Sequence, residues 1–294
     1  MSRIYKANAY GKINLHLDVL NKMSNGYHNV ESVMQSVSLC DTITLEVTDI
    51  GTEDDCEIEI SVSDSKLPND KTNIVYKCAN KFIERLNAKG KKFAFTIEKH
   101  IPIAAGMAGG SSDGATAMML LNEEYSDILS LEEMRNIGAL VGADIPFCLT
   151  GGTCLCGGIG DKITPLPSLK DIHLVSAIDY SSVSTPIAFA MLDEKYGTEC
   201  NSSKNICDMV TAIKNNDKIA VANLLFNKFE NVIIPKNNNI QRIKEIMLSC
   251  GAIGTLMSGS GPSVFGIFLD EISQKNALEE LKNCSINAFL CKTI

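Results

Sequence analysis

The sequence predicts an α+β protein of two domains. Period-two alternation marks strands, capped amphipathic stretches mark helices, and the two kinds interleave along the chain. A length of 294 residues accommodates two ordinary domains. The composition changes near residue 164, which divides the chain into 1–164 and 165–294.

The first strand is read over 10–20, YGKINLHLDVL, where Ile13, Leu15, Leu17 and Val19 alternate with Lys12, Asn14, His16 and Asp18. That pattern predicts a half-buried strand whose polar face carries Lys12 and Asn14 two residues apart, projecting from the same side. A solvated face is the ordinary meaning of a lone lysine; a pair opening the first strand points to substrate-facing groups. Asn25-Gly26 then signals a turn. Tyr27 and His28 follow it, either as packing or as an aromatic platform for a flat ring. Apolar alternation through Val33 and Val37 and a second run, Thr42 to Val47, read as two further strands.

Residues 49–72 are polar and irregular apart from the strand candidate CEIEISV. Asn73 starts a helix, IVYKCANKFIERL, which Lys89-Gly90 ends. FAFTIE, Phe93 to Glu98, is a strand that runs into 101–121, IPIAAGMAGGSSDGATAMMLL, the stretch around which the chain is organised. Pro102 lacks an N–H and stops regular pairing. Gly106, Gly109 and Gly110 follow, then Ser111 and Ser112, then a helix-prone run. A strand, a glycine turn and a helix start aim backbone N–H groups at one place, with the positive helix end behind them. Phosphate is the natural guest. The spacing is neither GxxxxGK[ST] nor GxGxxG, and no lysine or arginine lies between Lys99 and Arg135. On spacing alone a tight packing turn, with the serines as N-caps, stands equally well.

Ser130 and Glu133 form a capping box for a second helix, lined inside by Leu131, Met134, Ile137 and Val141. Asp144 follows in the apolar run GADIPFCL. It reads as a turn former before Pro146, or as a carboxylate held in a site and paired with a lysine. In the second half, Asp171 to Ser176 is a strand and Thr185-Pro186, with Phe189, opens a helix. Residues 199–217 read as an exposed loop and a short helix. Ile240 to Cys250 is an amphipathic helix, 258–261 a second glycine turn before a strand, Ser273 to Asn283 a helix and Ile286 to Lys292 the last strand.

Composition excludes several classes. The chain has 45% hydrophobic and 21% charged residues, with 27 basic against 35 acidic side chains, a net charge of −8. That balance argues against a general nucleic-acid or anionic-membrane binder. Eleven cysteines occur without a CxxC pair or a CxxC…HxxxH spacing, so neither zinc nor a disulfide framework is expected, and no metal-ligating residue is assigned. Cys40, Cys78, Cys148 and Cys250 read as small core residues. With no signal peptide and no membrane span, the expected location is the cytoplasm.

YGKINLHL, PIAAGMAGGSSDGA and LMSGSGPSVFG together resemble the GHMP kinase superfamily, which includes the galactokinase, homoserine, mevalonate and phosphomevalonate kinases. NGYHNVESVMQSVSLCDTI, TNIVYKCA, VGADIPF and STPIAF narrow the likeness to the branch that acts on a cytidine diphosphate polyol, and the match runs over nearly the whole chain. The departures are Gly11, Met107 and Gly114, where alanine or proline, leucine and alanine are usual; none removes a catalytic group.

The resemblance implies a two-domain GHMP kinase fold. Its N-terminal domain is akin to a ribosomal protein domain and carries the ATP loop; its C-terminal domain is ferredoxin-like, and the site lies between them. It implies ATP-dependent phosphorylation of the 2-hydroxyl of 4-diphosphocytidyl-2-C-methyl-D-erythritol in non-mevalonate isoprenoid synthesis, with Mg²⁺ accompanying ATP and held mainly by phosphates and water, Ser112 being a candidate ligand only. It further implies that Asp144 is the general base and Lys12 its partner. The ATP site is expected at Asn73, in the adenine pocket, and along Pro102, Ala104, Gly106, Met107, Ala108, Gly109, Gly110, Ser111 and Ser112. The substrate site is expected at Asn14, Tyr27, His28, Asp144, Thr185 and Phe189, with cytosine sandwiched by Tyr27 and Phe189 and its edge read by His28. The expected partners are the two small molecules, with no nucleic acid and no membrane, and the protein a monomer or homodimer. Another superfamily kinase is disfavoured by the aromatic residues, and a non-catalytic nucleotide sensor by the retention of Lys12 and Asp144.

Overall fold

The computed structural model describes residues 2–51, 53–179, 183–197 and 204–294. Its contacts divide the chain into two units, neither of them continuous in sequence. The first takes Met1–Gly11, Cys40–Ile103 and Ala108–Thr150; the second takes Lys12–Leu39, Ala104–Met107 and Gly151–Ile294. Two long strands, β1 (Ser2–Lys22) and β2 (His28–Asp49), contribute to both. The two strands expected within 30–47 are therefore one.

In the first unit β2 pairs antiparallel with β4 (Lys91–Glu98), placing Ile43, Leu45 and Val47 opposite Ile97, Phe95 and Phe93. β3 (Glu57–Val62) joins the far edge of β4 in parallel. These apolar positions share one core with Val75, Cys78, Ala79 and Phe82 of α1 (Ile74–Leu86). α1 covers the expected run and ends at Leu86, where Asn87 turns left-handed ahead of Lys89-Gly90. α2 (Gly109–Glu124) packs on α1, and a Cβ at Gly114 would lie 2.7 Å from Cys78 Sγ, which accounts for glycine there. α3 (Leu131–Ala139) carries the expected Ser130–Glu133 capping box. Its Leu131 is 40% exposed rather than core-facing, since the first residue lies on the outer side while Met134 and Ile137 are buried. α4 (Ile145–Thr150) closes the unit.

In the second unit β1 and β2 form a hairpin whose turn is tied by the Gly26 N–H donating to the Met23 carbonyl at 3.0 Å. β5 (Thr153–Gly157) pairs antiparallel with Ser32 to Gln35 of β2, and β6 (Lys162–Pro165) with β5. β7 (His173–Ile178), α5 (Thr185–Tyr196), α6 (Ile206–Lys214) and α7 (Lys218–Asn223) follow. The loop expected from 199 falls partly outside the described residues. β8 (Phe226–Asn227) runs parallel to His16 and Leu17 of β1. After α8 (Glu230–Ile233) and α9 (Asn238–Ser249) come β9 (Gly254–Met257), β10 (Ser263–Phe268), α10 (Glu271–Asn283) and β11 (Asn287–Lys292). They complete a four-stranded antiparallel sheet, β11-β7-β10-β9. α9 and α10 enter its core through Ile243, Met247, Ala277 and Leu281.

Two expectations need correction. Residues 12–18 are not half-buried: Lys12, Asn14, His16 and Asp18 are all buried, because the polar side is covered as fully as the apolar one. Of the four cysteines read as core, only Cys78 is fully buried; Cys40, Cys148 and Cys250 are half-exposed where their apolar runs reach the surface. The described cysteines are free thiols, and no described helix is long and apolar enough to cross a membrane.

Candidate functional site

The glycine loop is built on backbone turned the unusual way. Ala104, Gly106 and Ala108 all have positive φ, at 55°, 72° and 56°. For the two alanines this stores on the order of 1 kcal/mol each. The reward is a helix start with no side-chain cap: Ala108 occupies the N-cap of α2, and Ser112 N–H makes the first bond back to its carbonyl at 2.9 Å. The N–H groups at Gly109, Gly110 and Ser111 thus open a 16-residue helix that offers them to an anion. Ser111 and Ser112 are not N-caps. Ser112 is buried and donates its hydroxyl to the Tyr10 carbonyl at 2.7 Å. Pro102 is half-buried, Ala104 exposed and Met107 buried.

Where β4 enters this loop, Lys99 ion-pairs with Asp41 and, at 2.7 Å, with Asp113 of α2. Asp41 also accepts from the N–H groups of His100 and Ile101. Lys99 is therefore shared between two carboxylates. Burial pushes the Asp113 carboxyl up to about 7; Lys99 opposes that and the Asp41 carboxylate adds to it.

In the second unit the Lys12 N–H donates to the Met107 carbonyl at 3.0 Å, tying β1 to the loop's middle. Lys12 Nζ donates to Asn14 Oδ1 at 2.8 Å, and Asn14 Nδ2 to Ser32 Oγ at 2.8 Å. The pleat predicted this adjacency. Ser258 Oγ accepts from the Asn14 N–H at 3.2 Å. The second glycine turn braces the first: a Cβ at Gly106 would come within 2.8 Å of the Ser258 carbonyl oxygen and 2.9 Å of that of Gly261. Asn227 fixes this turn by donating to the carbonyls of Met257 and Gly259, each at 2.7 Å.

The same unit gathers the aromatic residues. His28 lies face to face on Phe189, ring centres 4.4 Å apart and planes inclined by 14°. Phe189 meets Phe229 edge-on at 5.0 Å. Tyr27 is 60% exposed beside them in sequence. Thr185 Oγ1 lies 3.0 Å from Ser260 Oγ in the second glycine turn. Sequence reasoning missed Asp193, whose carboxylate takes His28 Nε2 at 2.7 Å and Lys22 Nζ at 2.6 Å. Its only signal was its place four residues after Phe189 on one helix.

Two further residues belong to the first unit. Asn73 caps α1, accepting from the Val75 N–H at 2.9 Å and donating to the Pro68 carbonyl at 2.7 Å. Asp144 is half-buried just before α4, its carbonyl accepting from the Cys148 N–H at 3.0 Å. The described residues hold no group of three His, Cys, Asp or Glu side chains able to bind a metal ion.

An uncapped helix start in the first unit, and in the second a loop segment, Ala104–Met107, buttressed by a glycine turn beside a buried lysine, suit a small-molecule kinase. The chain belongs to the GHMP kinases: residues 73–152 match the family's N-terminal domain and residues 209–287 its C-terminal domain. Proteins named 4-diphosphocytidyl-2-C-methyl-D-erythritol kinase are similar over nearly its whole length. That of Clostridium novyi is 40% identical, covering 97% of this chain and 99% of its own. That of Caldicellulosiruptor bescii is also 40% identical, covering 94% of each. Among solved structures, a 4-(cytidine 5′-diphospho)-2C-methyl-D-erythritol kinase superposes with a TM-score of 0.81 at 24% identity, over 98% of this chain and 99% of that one. Mevalonate kinase of L. major, in complex with R-mevalonate, gives 0.75 at 16% identity, over 99% and 96%. The fold is the two-domain GHMP kinase fold, and the enzyme is an ATP-dependent kinase.

Proposed function

We propose that this chain transfers the γ-phosphoryl group of ATP to the 2-hydroxyl of 4-diphosphocytidyl-2-C-methyl-D-erythritol in the cytoplasm, a step of non-mevalonate isoprenoid synthesis. The observation that carries this reading is the 40% identity to kinases of that name across 97% of the chain. The division at residue 164 belongs to the same reading, the two family matches lying on either side of it.

Phosphoryl transfer asks a protein for positioning and charge neutralisation more than for covalent chemistry. In this reading the N–H groups from Gly106 to Ser111 cradle the phosphates, with Ser112 at the edge of the loop, and Asn73, Pro102, Ala104 and Met107 shape the rest of the nucleotide pocket. Asp144 orients the acceptor hydroxyl and takes its proton as the oxygen–phosphorus bond forms and ADP leaves. Lys12 offsets the negative charge that grows on that oxygen. Asn14, already bonded to Lys12, holds the polyol. Mg²⁺ supplies further neutralisation when bound with ATP. The described residues hold no acidic cluster for it, and in this reading its ligands are chiefly phosphate and water. Tyr27 and Phe189 enclose the cytosine, and His28 reads its edge. Thr185, on the helix that carries Phe189, borders the same pocket.

The test is an ADP-release assay with the cytidine diphosphate polyol, mevalonate, homoserine and galactose. Turnover confined to the first is expected. Tyr27→Ala should raise its KM about tenfold or more, since stacking on a base is worth roughly 1–3 kcal/mol, while the KM for ATP stays put. Turnover of another alcohol, or none at all, would refute the assignment.

A further inference from the structure

We propose that Asp193 is a positioning residue that sets which nitrogen of His28 bears the proton, and so makes the base pocket prefer cytosine to uracil. The inference rests on the proposed function and deepens it.

Both oxygens of Asp193 are committed. Oδ1 faces His28 Nε2 at 2.7 Å and Oδ2 faces Lys22 Nζ at 2.6 Å. An ionised carboxylate can only accept hydrogen bonds. Burial works against its ionisation, but the bonds from Lys22 and His28 outweigh burial and hold its pKa below the ordinary value. Nε2 must therefore carry the hydrogen. Neutral His28 is then the Nε2–H tautomer, and Nδ1 keeps its lone pair. Nδ1 makes no hydrogen bond within the described residues.

The ring cannot easily turn to present its other edge. Phe189 stacks on its face, and Phe189 is itself pinned edge-on by Phe229. Phe189 and Asp193 are four residues apart on α5, hence one helical turn apart on the same side. A single helix thus supplies both the platform under the imidazole and the carboxylate that orients it.

A bare Nδ1 is an acceptor. Cytosine offers an exocyclic amino donor on its pairing edge, where uracil offers a carbonyl acceptor. The amino group pairs with Nδ1; the uracil oxygen would meet it lone pair to lone pair. A site built to accept one hydrogen bond rejects the analogue that cannot donate it, because its buried polar group is left unpaired. Without Asp193, His28 is free to take the Nδ1–H tautomer, which suits uracil.

The experiment compares the cytidine and uridine diphosphate forms of the polyol in wild type, Asp193→Ala, Asp193→Asn and Lys22→Met. Asp193→Ala should lose about tenfold of the cytidine-over-uridine ratio in kcat/KM, the worth of one such hydrogen bond, with the KM for ATP unchanged. Asp193→Asn, whose Oδ1 still accepts, should keep most of the ratio, and Lys22→Met nearly all of it. An unchanged ratio in Asp193→Ala, or an equal loss for both nucleotides, would overturn the proposal, the second outcome marking a merely structural role. Nitrogen NMR gives a readout independent of turnover. His28, assigned among four histidines by comparison with His28→Gln, should show the Nε2–H tautomer in its neutral form in wild type. The Nδ1–H tautomer there would overturn the proposal even if Asp193→Ala did not fold. Wild type that fails to use the cytidine substrate would instead sink the functional reading, and the spectrum would still judge Asp193.

Discussion

Lys99 Nζ lies 2.7 Å from Asp113 Oδ2 and is shared with Asp41, so one buried ammonium serves two carboxylates. With both ionised, the cluster keeps a net negative charge at the entrance of the glycine loop. Asp113 Oδ1 is buried and has no hydrogen-bond partner. Protonating Asp113 removes the excess charge, consistent with a carboxyl pushed up to about 7 by burial.

The sign of the resulting pH dependence follows from linkage. The folded state binds this proton up to about pH 7, the unfolded state only up to about 3.8. Stability therefore falls as pH rises between those values and stays low above them. Asp113→Asn should stabilise the protein by on the order of 1–3 kcal/mol at pH 8 and by much less at pH 4.5. Urea unfolding at the two pH values decides it. A variant less stable than wild type at pH 8 would show that the Lys99–Asp113 bond outweighs the charge it leaves.

His16 should behave in the opposite sense. It is 1% exposed, and neither ring nitrogen has a partner. Burial pushes its pKa down to about 4, Asp18 opposing and Lys204 assisting. The unfolded chain then binds the proton more readily than the folded one between about 4 and 6.5. Stability is lost as pH falls through that window. His16→Phe, beside Phe226, should gain about 1–2 kcal/mol at pH 7 by removing unpaired polar atoms, and more at pH 5. Equal gains at both pH values would remove titration as a cause.

The glycines of the loop are constrained by the protein packed around them. A Cβ at Gly109 would lie 3.0 Å from Ile101 Cγ2 and 3.3 Å from Lys99 Nζ. Gly109→Val should therefore raise the KM for ATP and also lower stability, by about 1–3 kcal/mol for overpacking. Gly106→Ala should be worse for its size, since its Cβ would meet two carbonyl oxygens and its φ is +72°. Thermal melts alongside KM separate the two effects. Wild-type values of both in Gly106→Ala would mean that the second glycine turn does not brace the first.

These sites show where sequence was sufficient. The Ser130–Glu133 box and the Lys12–Asn14 pair are contacts within three residues, and local pattern revealed both. The burial of the polar side of β1 was not legible, because Asn14 is covered by Ser32 and Ser258, the latter 244 residues away. Asp193 reads as an ordinary exposed helical aspartate until His28, 165 residues distant, is brought to it. β8 has two residues, too few to show any period. The kinase fold itself was legible through separated motifs, and the Gly106 contacts explain why two of them occur together.

The proposed reaction makes its sharpest demand on Lys12 and Asp144. If Asp144 takes the hydroxyl proton while Lys12 offsets the charge on the same oxygen, neither role is useful without the other. Removing a positioned general base typically costs about 10²–10⁴ in rate, and residues acting as one unit are strongly non-additive. Asp144→Asn and Lys12→Met should each lower kcat by that range, and the double variant should be little worse than either. Lys12→Met also deprives Asn14 Oδ1 of its donor at 2.8 Å, so it should raise the KM for the polyol where Asp144→Asn does not. If backbone donors of the glycine loop carry the nucleotide, its affinity should survive Asp144→Asn. Measuring kcat for both singles and the double, with ATP affinity determined separately, tests the assignment. Near wild-type turnover in Asp144→Asn, or losses that multiply in the double variant, would show that the two residues do not share one step.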